Sequence, residues 1–232
     1  MALTVVKTSA LSGTLSTSNL PTIPVTKGGT NLTSGTTDQF LKFTGTTTLA
    51  SAADNAGIFN KITSDTGAGS TTTLTVDNCF SSTYRNYLVT IEKISISNST
   101  SKLQWLFRTG GASGSDAGNN IGGARQGWLG GSNSEITGTE VNSGTVDLTA
   151  DVYSDDDFAL QLWLFNPYPT NERSIISGRA VFREGSTSYV GFNDIGYVSV
   201  STENHTGFKL KSNDAQFNSG ARITVYGITD PQ

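Results

Sequence analysis

The chain has 232 residues, a formal net charge of −4 and a pI near 4.9. This charge balance argues against nonspecific attachment to DNA or to an anionic membrane, because either surface requires a basic patch. The single cysteine, Cys79, excludes an intrachain disulfide and fits synthesis in a reducing cytoplasm. No window approaches the roughly 18–20 apolar residues of a membrane helix, and the apolar run at the start is too short for a signal peptide. We therefore expect no nucleic-acid binding and no membrane insertion.

The composition favours an all-β protein with two parts. Glycine occurs 26 times, charged residues make up only 15% of the chain, and apolar runs with helical periodicity are few. From Met1 to Asp54 there is no Trp, Tyr, Cys or His, whereas aromatic residues and long alternating segments begin at Ile58. This break predicts an extended N-terminal arm or shaft over residues 1–56 and an antiparallel β-sandwich head over residues 57–232.

The first predicted element is the stretch from Val25 to Leu49, which has strand-forming residues but few apolar side chains. Gly28 and Gly29 permit a turn with positive φ, and Gly45 marks the next turn. The few apolar residues cannot offset the entropy of ordering some fifty residues, at roughly 1–2 kcal/mol each. We therefore expect this stretch to order only against copies of itself or a host surface. The residues expected to form the shaft and the attachment are Val25, Leu32, Phe40, Leu41 and Phe43.

A glycine- and threonine-rich pattern reads Pro24-Val-Thr-Lys-Gly-Gly-Thr-Asn-Leu-Thr33, Gly35 and Gln39-Phe-Leu-Lys42. It resembles the linker repeat in tail-fibre and related fibre proteins of tailed bacteriophages, in which a Gly-Gly-Thr-Gly-Leu core precedes Gly-x-x-Leu. Asn31 stands where those repeats often carry Gly, and no Trp follows Leu49. The resemblance covers Pro21 to Ala53. It implies a virion-attached homotrimer whose arm docks onto other virion proteins.

The head is predicted to contain eight to ten strands separated by turn signals. Alternate residues from Tyr87 to Ile91 share one face, and a shift of face at Lys93-Ile94 indicates a β-bulge. We expect this strand to form a hairpin with Lys102–Arg108. The nearly continuous apolar run Asp157–Phe165 predicts a central strand covered on both faces. Strands of this length and spacing indicate a two-sheet sandwich or a jelly roll.

The two ends of the head carry a second, looser pattern. Phe80-Ser-Ser-Thr-Tyr-Arg-Asn-Tyr87 leads into a long strand, and Gly220–Ile228 forms a closing strand. These segments resemble the opening and closing segments of C-terminal β-sandwich heads in several phage fibre proteins. The arm comes first and the head last, which is the order that a virion fibre has. The resemblance implies a protein that is located in the virion and assembled in the host cytoplasm.

The candidate receptor-binding residues are aromatic and polar side chains in predicted loops. The Gly-rich segment 110–123 is interpreted either as a recognition loop flanked by Arg125 and Trp128 or as a plain flexible connection. Aromatic rings stack on the apolar faces of sugars, while Asn, Asp and Arg bond their hydroxyls. Trp105 and Trp163 lie within strong strands, so we expect them in the core or at a trimer interface. The candidates for binding a host glycan or protein are Trp128, Arg125, Asn119, Asn120 and Tyr168.

Catalytic and metal-binding patterns are sparse. His205 is the only histidine and lies in the polar segment Thr202–Gly207, so we expect it on a surface loop and predict no catalytic residues. Asp155-Asp-Asp157 is interpreted as a solvated turn rather than a calcium site, because no EF-hand spacing accompanies it. We predict no enzyme activity, no cofactor and no metal. A polysaccharide depolymerase with paired carboxylates is less favoured, because the chain lacks the repeat of a parallel β-helix.

The leading hypothesis is a structural virion fibre of a tailed phage. Its arm attaches to the particle, and its head adheres to the host surface with a saccharide as the expected receptor. The alternative is a head fibre or decoration protein on the capsid, which shares the same arm and fold. Three heads on one axis would raise avidity by ~10²–10⁴ over a single weak site.

Overall fold

The computed structural model describes residues 40–43, 49–52, 58–67, 69–98, 100–118, 121–131, 134–168, 171–185 and 189–229. The chain divides into two units, Met1–Ala56 and Gly57–Gln232. In the first unit, β1 (Phe40–Phe43) and β2 (Leu49–Ala52) pair as an antiparallel ladder. Of the residues expected to form the shaft, Phe40, Leu41 and Phe43 belong to β1. Val25 and Leu32 lie outside the described residues.

The second unit is an all-β domain, with one short 3₁₀ turn at Gly111–Ser113 among its described residues. In the part of the chain that the structure describes, no helix is long and apolar enough to cross a membrane. The strands of this unit are β3 (Phe59–Thr66), β4 (Thr73–Val76), β5 (Asn86–Ile94), β6 (Leu103–Thr109), β7 (Ser115–Asp116), β8 (Ile121–Leu129), β9 (Ser134–Ser143), β10 (Val146–Asp147), β11 (Phe158–Phe165), β12 (Ile175–Arg183), β13 (Val190–Ser199), β14 (Gly207–Ser212) and β15 (Arg222–Ile228).

These strands form two antiparallel sheets that share one apolar core. The larger sheet has the order β3-β15-β5-β11-β12-β13-β8-β9, and the smaller has the order β10-β6-β14-β4, with β7 paired to β6. Each sheet turns one face toward the core, which contains buried residues from both sheets. The prediction of an all-β fold with two antiparallel sheets is therefore confirmed.

Strand β11 shows how the sequence pattern produces the layers. It lies between β5 and β12 in the larger sheet, so the prediction of a central strand is confirmed. Leu160 and Leu162 face the core and are buried, whereas Gln161 is exposed on the other face. The prediction that both faces are covered is wrong, because Trp163 and Phe165, which made the run continuous, point outward and are only half-buried.

The predicted hairpin between β5 and β6 is wrong. β5 lies in the larger sheet between β15 and β11, whereas β6 lies in the smaller sheet beside β14. Both strands need to bury an apolar face, and they do so against the same core from opposite sides. The predicted bulge is confirmed: Lys93 has a φ of 52°, and the β5–β11 register shifts between Phe158 and Leu160.

Aromatic side chains form the centre of the core. The Trp105 ring stacks on Phe208 with ring centroids 4.1 Å apart and planes 10° from parallel. Phe80 joins this stack to the larger sheet, since its centroid lies 6.0 Å from Phe208 and 4.8 Å from Tyr87. The sheets are also joined by a hydrogen bond of 2.8 Å from the Tyr197 hydroxyl to the Asp147 carbonyl. The expectation that Trp105 lies in the core or an interface is met by full burial in the core.

We predict that Phe208→Ala lowers the free energy of unfolding by about 3–5 kcal/mol, because it removes the ring that contacts both Trp105 and Phe80. Urea unfolding followed by tryptophan fluorescence measures this change. Val190→Ala is the control, because Val190 is exposed and its truncation should cost less than about 0.5 kcal/mol. Equal losses for the two variants would contradict the assignment of Phe208 to the centre of the core.

Candidate binding site

A cavity of about 470 Å³ opens at one end of the sandwich, between three loops. The β4–β5 loop contributes Tyr84 and Arg85, the β11–β12 loop contributes Tyr168, and the β13–β14 loop contributes Asn204. We call this cavity the tyrosine pocket. The residues that matter to its chemistry are Tyr84, Arg85, Tyr168, Asn171, Glu172 and Asn204.

Arg85 fastens two of the three loops together. Its Nη2 donates to both carboxylate oxygens of Glu172, at 2.8 and 3.0 Å, and its Nε donates to Asn166 Oδ1 at 2.8 Å. The backbone N–H of Asn166 in turn donates to the Arg85 carbonyl at 3.0 Å. The Arg85–Glu172 pair is exposed enough to add little to stability. Its effect is to hold a guanidinium and a carboxylate in fixed positions at the pocket wall.

Tyr84 is held at the pocket by close packing on a glycine. A Cβ atom at Gly227 would clash with the Tyr84 ring, so only glycine allows the ring to approach the β15 backbone this closely. The same loop is anchored to the core by Tyr87, whose hydroxyl accepts from the Ser81 N–H at 2.8 Å and donates to the Ser81 carbonyl at 2.9 Å. The ring is therefore in place before a ligand arrives.

His205 fixes the third loop, and the expectation that it lies on the surface is wrong. The residue is only 1% exposed, and its ring stacks on Phe107 with centroids 4.1 Å apart. Its backbone N–H donates to the Pro167 carbonyl at 2.9 Å, and Nδ1 lies 2.8 Å from Ser174 Oγ. The local sequence is polar and carries no sign of this burial, because the covering residues come from β6 and the β11–β12 loop.

Ser174 and His205 have the residue types of a nucleophile and a base, but their surroundings do not suit that chemistry. Burial lowers the pKa of His205 to about 4, so the imidazole is neutral and a weak base near pH 7. Ser174 is buried, and its hydroxyl donates to the Asn166 carbonyl at 3.2 Å. A substrate carbonyl has no access to Oγ. The pair therefore connects the β11–β12 and β13–β14 loops and does not form a hydrolytic dyad.

Trp128 lies elsewhere, on the outer face of β8. It is 48% exposed and borders a groove of about 260 Å³ with Val181, Val190 and Phe192. The Arg179 guanidinium lies 5.0 Å from the centroid of the Phe192 ring in the same groove. Trp128 pairs with Phe192, near the start of β13, whereas Tyr168 follows the end of β11. The two aromatic candidates are thus at opposite ends of the larger sheet.

Arg125 is separated from Trp128 by the sheet itself. The two residues are three positions apart on one strand, so their side chains point to opposite faces. Arg125 is 6% exposed, with Nη2 3.6 Å from Asp147 Oδ2. Its Nε and Nη1 find no hydrogen-bond acceptor among the residues described. Had segment 121–129 been recognised as a strand, its alternation would have separated Arg125 from Trp128.

The Gly-rich segment between β6 and β8 is held to the smaller sheet in its described part, residues 110–118. Asp116 accepts from Arg108 Nη1 at 2.7 Å and from Lys209 Nζ at 2.6 Å. Burial alone would raise the pKa of Asp116, but the hydrogen bonds from these two cations lower it below its usual value. Asn119 and Asn120 lie outside the described residues.

The acidic run after β10 pairs with cations and amides of the protein. Asp156 accepts from Arg183 Nη1 at 2.8 Å, and Asp155 accepts from Asn218 Nδ2 at 3.0 Å. In the described ranges, no group of three or more His, Cys, Asp or Glu side chains is arranged to hold a metal ion.

The three candidates that the structure describes, Trp128, Arg125 and Tyr168, are therefore not brought together. Of these three, Tyr168 lines the tyrosine pocket, and its neighbours Tyr84, Arg85, Asn171 and Glu172 were not among the candidates. The segment Phe80–Tyr87 stood out as a pattern but carried no sign of a site. A scan against protein-family models finds no match, and a search of curated proteins finds no similar sequence.

We predict that His205 makes the domain less stable in acid. Its folded-state pKa of about 4 lies below the usual 6.5, so the unfolded chain binds the proton more tightly. This stability is fully present above pH 6.5 and is lost as the pH falls toward 4, by roughly 3 kcal/mol in total. Urea unfolding from pH 7 to pH 4 measures the loss, and NMR titration of the sole histidine gives its pKa directly.

His205→Asn is the matched variant, because its amide can occupy the Nδ1 position without titrating. The difference in unfolding free energy between the wild type and this variant should change with pH in the window between 6.5 and 4. A difference independent of pH, or a histidine pKa near 6.5 by NMR, would contradict the buried placement.

Proposed function

We propose that this chain is a structural virion fibre protein of a tailed bacteriophage and that its head adheres to the host surface by binding a saccharide. The observation that carries the binding proposal is the tyrosine pocket, where two tyrosines lie beside a fixed Arg85–Glu172 pair. The virion assignment is supported by the resemblance of Pro21–Ala53 to the linker repeat of phage fibres. On this proposal, residues 1–56 attach to the particle and residues 57–232 contact the host.

The pocket offers the contacts that a sugar ring needs. The phenol rings of Tyr84 and Tyr168 present flat apolar surfaces on which the C–H face of a pyranose can stack. Arg85 and Asn171 supply N–H donors, and the Glu172 carboxylate supplies acceptors, so both the oxygens and the hydrogens of neighbouring hydroxyls find partners. Because hydrogen bonds and packing already hold these loops, binding requires little ordering of the protein.

The position of the pocket favours a polymer over a small ligand. Asn86 follows Arg85 and pairs with Ile228 on β15. Ile228 in turn pairs with Phe59, the first strand residue of the domain. The pocket thus opens at the end of the sheet where the domain begins. A sugar unit within a longer surface polysaccharide can reach such a site, because the pocket opens between loops at an end of the domain. In a homotrimer, three weak sites of this kind add avidity of ~10²–10⁴ on a repeating polymer.

We predict that Tyr168→Ala weakens binding about 5- to 30-fold, since removing one stacked ring costs about 1–2 kcal/mol. Binding is measured by biolayer interferometry, with purified surface polysaccharide from bacteria to which the full-length protein adheres. Tyr189→Ala is the matched control, because Tyr189 is an exposed tyrosine at the opposite end of the sheet. Equal affinities of the two variants would rule out the tyrosine pocket as the binding site.

We further predict that the full-length protein sediments at three times its chain mass of 24.4 kDa. Analytical ultracentrifugation at micromolar concentration measures this mass. Tyr168→Ala should give the same mass, so that any loss of binding is assigned to the pocket and not to dissociation. A monomer at these concentrations would contradict the fibre proposal.

A further inference from the structure

The charge of the tyrosine pocket is balanced by one ion pair. Among the described residues that line the pocket, the charged ones are Arg85 and Glu172, and their side chains lie 2.8 Å apart. Two further charged residues adjoin the lining in sequence, Arg173 and Glu203, and they also have opposite signs. The other described lining side chains carry hydroxyl, phenol or amide groups. The pocket therefore offers hydrogen-bond donors and acceptors without an excess of either charge.

The Arg85 guanidinium has no complete edge left for an incoming carboxylate. Arginine binds a carboxylate most strongly through two parallel N–H groups, which come from Nε and Nη2 or from Nη1 and Nη2. In this structure Nε donates to Asn166 Oδ1, and Nη2 donates to both carboxylate oxygens of Glu172. Each edge has thus lost at least one of its donors. Among the described residues, Nη1 has no acceptor, and it is the nitrogen that remains for a ligand.

A hydroxyl suits this arrangement better than a charged group does. A sugar hydroxyl can accept from Arg85 Nη1 and donate to the Glu172 carboxylate, so it uses both members of the pair. A carboxylate has no proton to donate, and its attraction to Arg85 is offset by repulsion from Glu172. The cost of removing the ion from water then remains. An ammonium group meets the reverse problem, because Arg85 repels it where Glu172 attracts it.

We infer that the tyrosine pocket selects uncharged glycans and that Glu172 is the residue that excludes acidic ones. This inference rests on the proposed function, because it names the class of saccharide that the same pocket takes. Every group that it uses belongs to the pocket of one chain. The net charge of −4 acts in the same direction, since it repels polyanions at long range.

The test compares one polysaccharide in a neutral and an acidic form. The probe is the purified surface polysaccharide of bacteria to which the full-length protein adheres. If this polymer is neutral, its primary hydroxyls are oxidised to carboxylates; if it is acidic, its carboxylates are reduced to hydroxyls. Biolayer interferometry is performed at about 150 mM salt, where charges beyond about 8 Å are largely screened. The wild type should bind the neutral form at least about 5-fold more tightly than the acidic form.

Glu172→Gln tests the residue that makes the selection. It removes the negative partner of Arg85, so the ratio of the two affinities should shift toward the acidic form by at least about 5-fold. Glu135→Gln is the matched control, because it makes the same change in net charge at an exposed glutamate that pairs with Trp128, at the opposite end of the sheet. This control should keep the wild-type ratio. A loss of folded protein lowers both affinities of a variant together, so it leaves the ratio unchanged.

Two results would overturn the inference and leave the proposed function intact. One is a wild type that binds the acidic form as tightly as the neutral form, or more tightly, while Tyr168→Ala weakens both. The other is the same ratio of affinities in Glu172→Gln and Glu135→Gln, which would remove Glu172 from the selection. Binding that Tyr168→Ala does not weaken, or a full-length protein that adheres to no bacterial polysaccharide, would instead contradict the proposed function.

Discussion

The buried aromatic layer between the two sheets is the constraint on which the rest of the domain depends. Each sheet has one apolar face that must be buried away from water. The Trp105–Phe208 stack, with Phe80 and Tyr87, fills the space between the two sheets and buries both faces. The same layer continues to the end of the domain that holds the tyrosine pocket. Phe107 stacks on His205, and Tyr87 holds the backbone of Ser81, so the pocket loops are positioned by the core.

This continuity explains why a pocket made of loops can be well ordered. Arg85, His205 and Ser174 connect the three loops by hydrogen bonds, and each of these residues lies within two residues of a core strand. On the proposed function, a sugar would bind to groups that already have their positions, which limits the entropy lost on binding. On the outer face of the larger sheet, by contrast, the exposed aromatic side chains Phe59 and Trp128 face away from the core.

The features that could be predicted from the sequence are local. Alternation from Tyr87 to Ile91 predicted which residues of β5 share one face, and the break at Lys93-Ile94 predicted its bulge. Both can be read from the sequence because successive side chains in a strand point to opposite faces of the sheet. β8 and β9 were not predicted, since their glycine and serine residues have little strand propensity. Pairing with β13 makes β8 a strand, and β8 in turn supports β9.

The sequence by itself determined the all-β class, the direction of most strong strands and the presence of an aromatic core, because these follow from composition and from a period of two residues. Only the tertiary structure decided which sheet each strand joined, that His205 is buried, that Arg125 and Trp128 are apart, and that Tyr84 and Tyr168 share one pocket. Each of these depends on contacts between residues far apart in the chain. Which surfaces pack against one another determines such contacts, and a local sequence pattern does not contain this information.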